Sequence, residues 1–324
     1  MKTLTSRGRL RRLMPLAQLA VAQFDIAVKS LRPLAEHTNA LFRIDTADGA
    51  RYVLRICAPG EHDARDREME VIWMNALARD GAVKLPVPVA NRSGAWVTIA
   101  AANGAPEPRS CMLFTWAPGK PIDGDETPAN YRLLGECSAR LHAHAAAMDV
   151  PPMLRPMAWD RAFYFVHEPT VVYAAAHAHL FAAAQIDAIR SAEHKVNAAI
   201  DELFERGQGG PMLIHGDLHP GNVHVYRGAA WVLDFEDLMW GFPVQDIAVS
   251  LYNARVAESE SYAALYEAFQ SGYERVRAWP ASEAQLETFY AARTLMFINY
   301  CANKSAEPDM AAFVPRLMKR VEKA

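Results

Sequence analysis

The chain has 324 residues, 51% of them apolar and 22% charged, and a net charge of −3 at pH 7. That length accommodates two lobes or domains, and the composition is globular, which excludes disordered and fibrous classes. The small net charge argues against nucleic acid, whose binders carry clustered basic surface, so a small molecule is the expected partner.

Cys57, Cys111, Cys137 and Cys301 are far apart and form no CxxC pair. Neither a zinc site nor a disulfide framework is expected, and a reducing cytoplasm fits best. At the N-terminus Lys2, Arg7, Arg9, Arg11 and Arg12 lead into an apolar run from Leu13 to Ala22. Pro15 and Gln18 interrupt a stretch already short for a signal peptide, so residues 1–23 are expected to form a leading amphipathic helix. No stretch reaches the roughly 18 apolar residues that span a bilayer, and no membrane partner is expected.

The next pattern is strand, turn, strand: Leu41 to Ile44, then Thr46 to Gly49, then Arg51 to Ile56. In the second strand Tyr52, Leu54 and Ile56 share one face, which leaves Val53 and Arg55 on the other. A helix follows over about 63–79. Trp73, Met74 and Leu77 stand at i+3, i+4 and i+7 from Glu70, so this carboxylate lies on an apolar stripe. A charge there is costly unless paired, and Arg55 is the expected partner. Glu68, with Val71 and Ile72 on its own face, is the alternative, and a surface salt bridge is the plainer one.

Trp96 to Ile99 and Cys111 to Phe114 read as further strands. The second, running into Thr115-Trp116-Ala117-Pro118-Gly119, has the form of a hinge whose backbone around Met112 and Phe114 could meet adenine. An edge strand ending in a turn fits the same residues. Beyond Asp123 the periodicity is helical through Leu133, Leu134, Cys137 and Leu141, again over about 170–204, and from Tyr262 to Val321. No internal repeat appears. The expected fold is therefore α+β: a small antiparallel sheet lobe with one helix over residues 1–115, and a larger, mainly helical lobe over 116–324.

The segment His215-Gly216-Asp217-Leu218-His219-Pro220-Gly221-Asn222, followed by Asp234-Phe235-Glu236, carries the chemistry. Phosphoryl-transfer loops place a base Asp five residues before a metal-binding Asn, with a second metal carboxylate downstream. Asp217, Asn222 and Asp234 keep that order. Val223 to Tyr226 and Ala230 to Leu233 read as a hairpin around Arg227-Gly228-Ala229. That three-residue loop would set Asn222 opposite Asp234, with Cβ atoms roughly 5 Å apart. Such an oxygen pair suits Mg²⁺, a hard cation completed by waters and substrate phosphates. Asp217 would then accept the proton of a substrate hydroxyl. An ordinary turn uses the same residue types, but gives no reason for an Asp at the matching register.

These residues resemble the aminoglycoside phosphotransferase and choline kinase superfamily, a branch of the protein-kinase-like fold. The resemblance runs from Arg51-Tyr52-Val53-Leu54-Arg55 through Glu70-Val71-Ile72-Trp73, Leu134-Gly135, Leu141-His142 and the His215 to Asn222 loop to Asp234-Phe235-Glu236 and Asp246-Ile247-Ala248. Gly216, where protein kinases have Arg, marks the small-molecule branch. Pro156 to Asp160, Leu233 to Asp237 and Ala291-Ala292-Arg293 look most like the group of type II homoserine kinases and bacterial stress-response kinases.

The resemblance implies a two-lobed kinase-like fold using ATP and Mg²⁺, with Asp217 as base and Asn222 and Asp234 as metal ligands. Arg55 would contact phosphate with Glu70 as its support, and Asn39, Met112 and Phe114 would lie around the nucleotide. Asp246 would brace the catalytic loop. The sequence departs from the family at Arg55, where a Lys is usual, at His37-Thr38-Asn39-Ala40-Leu41, which lacks GxGxxG, and at Glu236, where relatives have a second Asp.

The expected acceptor is a small-molecule hydroxyl, of homoserine or another amino alcohol, bound near Trp159, Asp160, Glu236, Tyr290 and Arg293. An aminoglycoside should demand an acidic surplus, and Glu258, Glu260, Glu267, Glu274, Glu283 and Glu287 are matched by Arg255, Arg275, Arg277, Arg293, Lys304, Arg316, Lys319 and Arg320. An aminoglycoside phosphotransferase, a Ser/Thr protein kinase and a nucleotide-binding pseudokinase are the alternatives, and the chain is expected to act as a monomer or homodimer.

Overall fold

The computed structural model describes residues 6–36, 38–60, 62–102, 107–165, 168–206, 209–257 and 261–322. His37, Glu258 and Glu260 lie outside the described residues, as do residues 1–5 of the expected leading helix. The chain divides into two compact bodies, Met1–Gly119 with Trp231–Leu233, and Lys120–Ala230 with Asp234–Ala324. Among the described residues no helix is long and apolar enough to cross a membrane.

The first body is an antiparallel sheet between two helices. Its strands are β1 (Val28–Glu36), β2 (Ala40–Thr46), β3 (Arg51–Ile56), β4 (Pro88–Val89), β5 (Thr98–Ala100) and β6 (Arg109–Thr115), in the order β1-β2-β3-β6-β4 with β5 also on β6. Helix α1 (Ser6–Val21) lays Leu10, Leu16, Ala17, Ala20 and Val21 against Phe42, Ile44, Leu54, Ile56 and Leu113. Each fully buried Leu, Ile or Phe contributes roughly 1.5–3 kcal/mol. The period of two turns Arg55 to the opposite face, towards α2 (Ala64–Asp80), which opens on a capping box between Asp63 and Asp66 and closes on left-handed Gly81. The edge strand β1 has no counterpart in the sequence reading. It is mostly exposed, carries Pro33 and shifts register between Pro33 and Ala35, so it shows little of the alternation that marks a strand.

The second body holds α3 (Pro128–Ala147), α4 (Ala183–Arg206), α5 (Pro243–Val256), α6 (Tyr262–Glu274), α7 (Glu283–Asn303) and α8 (Pro308–Val321). Its strands are β7 (Lys120–Pro121), β8 (Met212–Ile214), β9 (Val223–Tyr226), β10 (Ala229–Val232) and β11 (Met239–Gly241). β11 pairs antiparallel with β8, and the two frame the segment that carries the motif. Helix α5 is buried on every face from Pro243 to Tyr252, so it forms the centre of this body.

Helices α3 and α6 meet at a reciprocal pair of glycines. A Cβ on Gly135 would fall 2.0 Å from the Phe269 carbonyl oxygen, and one on Gly272 2.0 Å from that of Arg132. In an open helix Gly→Ala stabilises by roughly 1 kcal/mol. Here overpacking against backbone wins, so Gly272→Ala should destabilise by about 1–3 kcal/mol, read as a lower urea midpoint.

Candidate active site

The loop begins where β8 ends. Gly216 has φ +79°, and a Cβ there would lie 2.0 Å from the Asp237 carbonyl oxygen. Glycine is thus required twice, by a left-handed backbone and by close approach of another chain segment. The amides of His215 and Gly216 donate to the two carboxylate oxygens of Asp246, each at 2.8 Å. His142 Nε2 stands 3.2 Å from the same carboxylate, and its Nδ1 is 2.9 Å from the Tyr273 hydroxyl. Ser250 Oγ donates to Leu218 O at 2.6 Å. Helix α5 therefore anchors the loop at two points, through side chains that are fully buried.

Beyond that anchor, Asn222 Nδ2 donates to Asp217 O at 2.9 Å and approaches Asp217 Oδ2 at 3.3 Å. Its amide oxygen is thereby turned away from Asp217. His219 Nδ1 accepts from Gly221 N at 3.0 Å and its Nε2 lies 3.5 Å from Asp217 Oδ2. Burial holds the His219 pKa below the usual histidine value, against the attraction of Asp217. The other Asp217 oxygen accepts from Arg293 Nη2, and Arg293 Nη1 donates to Tyr164 Oη at 3.0 Å.

The hairpin differs by one residue from the sequence reading. β9 and β10 are joined by Arg227-Gly228 alone, both at positive φ (50° and 75°). Two successive positive φ values are the signature of a type I′ turn, which matches strand twist better than a three-residue loop. Counting from that turn, Asn222 comes opposite Leu233, and Asp234 follows it. Asp234 itself has φ +63°, a conformation that a short polar side chain tolerates better than most.

Asp217, Asp234, Glu236 and Asp237 form a concentration of negative charge. Burial, and then repulsion from Asp217, Glu236 and Asp234, push the Asp237 pKa well above the carboxylate range, with Arg293 opposing. Such a concentration of hard oxygen ligands suits a divalent cation such as Mg²⁺. Among the described residues there is no cluster of three or more His, Cys, Asp or Glu side chains arranged to hold a metal by themselves.

In the first body Arg55 meets Glu70 through a two-pronged ion pair, Nη1 to Oε1 at 2.9 Å and Nη2 to Oε2. Glu68 is exposed. The Arg55 guanidinium also lies 3.1 Å from Met112 Sδ and 5.1 Å from the Phe114 ring centroid. Met112 and Phe114 thus surround Arg55 with side chains, while their backbones are paired in the sheet, Met112 with Arg55 and Phe114 with Val53 and Pro88. The Trp116 amide donates to Arg51 O at 3.1 Å. Asn39 Oδ1 accepts from Ala58 N at 2.9 Å.

The expected acceptor residues divide between core and surface, with Trp159 and Arg293 joined through Tyr164. Trp159 and Tyr290 are core residues, one stacked on Tyr164 at 3.7 Å, the other 3.1 Å from the Tyr262 hydroxyl. Asp160 forms an exposed pair with Arg161. Glu236 is half-buried beside Asp237, and Arg293 pairs with Asp217. Tyr164, His142 and Asp237 were not named as site residues from the sequence. Tyr164 carried no motif signal, but Asp237 directly follows Glu236 and His142 lay in the matched Leu141-His142.

Burial alone would raise the Asp246 pKa, but the hydrogen bond and attraction of His142, with those of His215, bring it below the ordinary 3.8. A depressed folded-state pKa contributes stability that is present above the unfolded value and is lost as pH falls through the folded one. Asp246→Asn should therefore lower stability at pH 7 by on the order of 3 kcal/mol. The difference from the parent should narrow below about pH 4, measured by denaturant melts across pH.

The chain was compared with known proteins. An uncharacterised protein of Deinococcus radiodurans is 27% identical over 305 residues, covering 90% of this chain and 82% of that protein. Among solved structures, an amicoumacin kinase in complex with AMP-PNP, Ca²⁺ and Ami superposes with a TM-score of 0.77 at 18% identity, covering 98% of this chain and 96% of that one. A microcompartment-associated aminopropanol kinase gives 0.75 at 22%, covering 95% and 94%. These likenesses establish the kinase-like fold. The family described as "Phosphotransferase enzyme family" matches residues 30–279, and the chain belongs to it.

Proposed function

We propose that the protein transfers the γ-phosphate of ATP to the hydroxyl of a small amino alcohol. The observation that carries this reading is the anchored loop. Asp246 fixes the backbone, Asn222 is tied to Asp217, and the Asp217 carboxylate remains partly open to solvent, at 19% side-chain exposure.

In the reaction, Asp217 orients the acceptor hydroxyl and takes its proton as that oxygen bonds to phosphorus and the bond to ADP breaks. Arg55, whose two terminal nitrogens are held by Glu70, would act on the phosphates through its charge. Asn222 and Asp234 would hold Mg²⁺, which when bound neutralises charge on the transferring phosphate. The rest is positioning and exclusion of water. The amino-alcohol class is supported by the aminopropanol kinase among the structural neighbours and by the charge balance of the helical tail. The amicoumacin kinase neighbour makes amicoumacin the second acceptor to test.

An ATP-consumption screen over amino alcohols, aminoglycosides, amicoumacin, sugars and model peptides should show stimulation by an amino alcohol. Stimulation by peptide alone would transfer the assignment to a protein kinase, and none at all would overturn it. Asp217→Asn should lower kcat by roughly 10³-fold or more while ATP binding persists. Full turnover in that variant would remove Asp217 as the base.

A further inference from the structure

Arg293 belongs to α7, far in sequence from the catalytic loop, and is almost wholly buried, with 8% of its side chain exposed. Its surroundings fix it without help from the loop. Nη1 donates to Tyr164 Oη at 3.0 Å, and the guanidinium carbon lies 4.8 Å from the Phe297 ring centroid. Tyr164 in turn stacks on Trp159. The Trp159 backbone is fastened at both ends, its amide donating to Trp240 O at 3.0 Å and its carbonyl accepting from Gln245 Nε2 at 2.9 Å. A desolvated cation is expensive unless paired. Burial works against the charge of Arg293, but Tyr164 and Asp217 outweigh it and hold the guanidinium protonated.

The two oxygens of Asp217 are consequently unequal. Oδ1 is engaged by Arg293. Oδ2 faces Asn222 Nδ2 at 3.3 Å and His219 Nε2 at 3.5 Å, both beyond the usual range of about 2.7–3.2 Å, so it retains lone-pair capacity. We propose that Arg293, braced by Tyr164, is a positioning residue: it sets the rotamer of Asp217 so that Oδ2 is the oxygen that receives the acceptor's proton. The inference rests on the reading of Asp217 as the base. Its role is geometric, since a carboxylate on a short side chain turns freely and a misplacement of about 1 Å can cost roughly 100-fold in rate.

The test is a double-mutant cycle in the full chain. Arg293→Met should lower kcat roughly 100-fold and leave the KM for ATP within about twofold. Added guanidinium should restore part of that turnover, which a merely structural loss would not allow. In an Asp217→Asn background the same substitution should cost nothing further, because the group it positions is gone. Tyr164→Phe, a conservative change, should lower kcat by roughly 10-fold and lose its effect in the same background; it carries the cycle if Arg293→Met fails to fold. Parent-like kcat in Arg293→Met, or losses that simply multiply with Asp217→Asn, would overturn the inference. If the parent phosphorylates no acceptor, the functional reading fails by itself. Crystal structures of the parent and Tyr164→Phe then decide the positioning role: an Asp217 carboxylate reoriented in the variant supports it, and an unmoved one overturns it.

Discussion

The Asp246 carboxylate takes the amide hydrogens of His215 and Gly216, one on each oxygen, and the conformation of the loop that follows depends on that grip. A loop of Gly, Pro, Asp and Asn has many accessible conformations, and ordering each residue costs roughly 1–2 kcal/mol. The fully buried carboxylate, itself backed by His142 and Tyr273, offsets this cost where the loop leaves the strand. Because α5 is buried on every face, the anchor is rigid. Asp217 emerges directly from it, and Asn222 is then tied back to Asp217.

The protein uses the same device twice, a buried arginine against a carboxylate, to different ends. Arg55 and Glu70 are both almost wholly enclosed, and the carboxylate serves to aim the cation. With Arg293 and Asp217 the direction is reversed: the cation is the more deeply held partner, at 8% exposure against 19%. An ion pair buried this deeply adds little net stability compared with an apolar pair of similar shape. Its value lies in fixing a direction.

Much of this was legible in the residues. The alternation in Arg51 to Ile56 and the stripe around Glu70 were enough to pair Arg55 with Glu70, because both are short-range periodicities with one costly charge to resolve. The turn-rich form of the segment from His215 to Asn222 was legible because Gly, Pro, Asp and Asn are turn residues. The turn of the hairpin was not: Arg227 adopts positive φ, which its residue type does not announce, and a register shift of one followed. Strand β1 was missed because an edge strand with a proline shows little alternation. That Trp159 and Tyr290 are core residues was not legible, because the sequence does not distinguish a large aromatic lining a pocket from one filling a core. Arg293 came to Asp217 through tertiary packing of α7, which no local pattern encodes.

The strip Trp231–Leu233 belongs to the first body, where the Val232 amide donates to Lys84 O at 2.8 Å. During synthesis, therefore, the N-terminal sheet leaves the ribosome long before its last piece exists. Residues 1–119 alone lack that strip, and the body is complete only after the loop from His215 to Asn222 has been made. The order of translation thus ties the finishing of the first body to the appearance of Asp217 and Asn222 in the second.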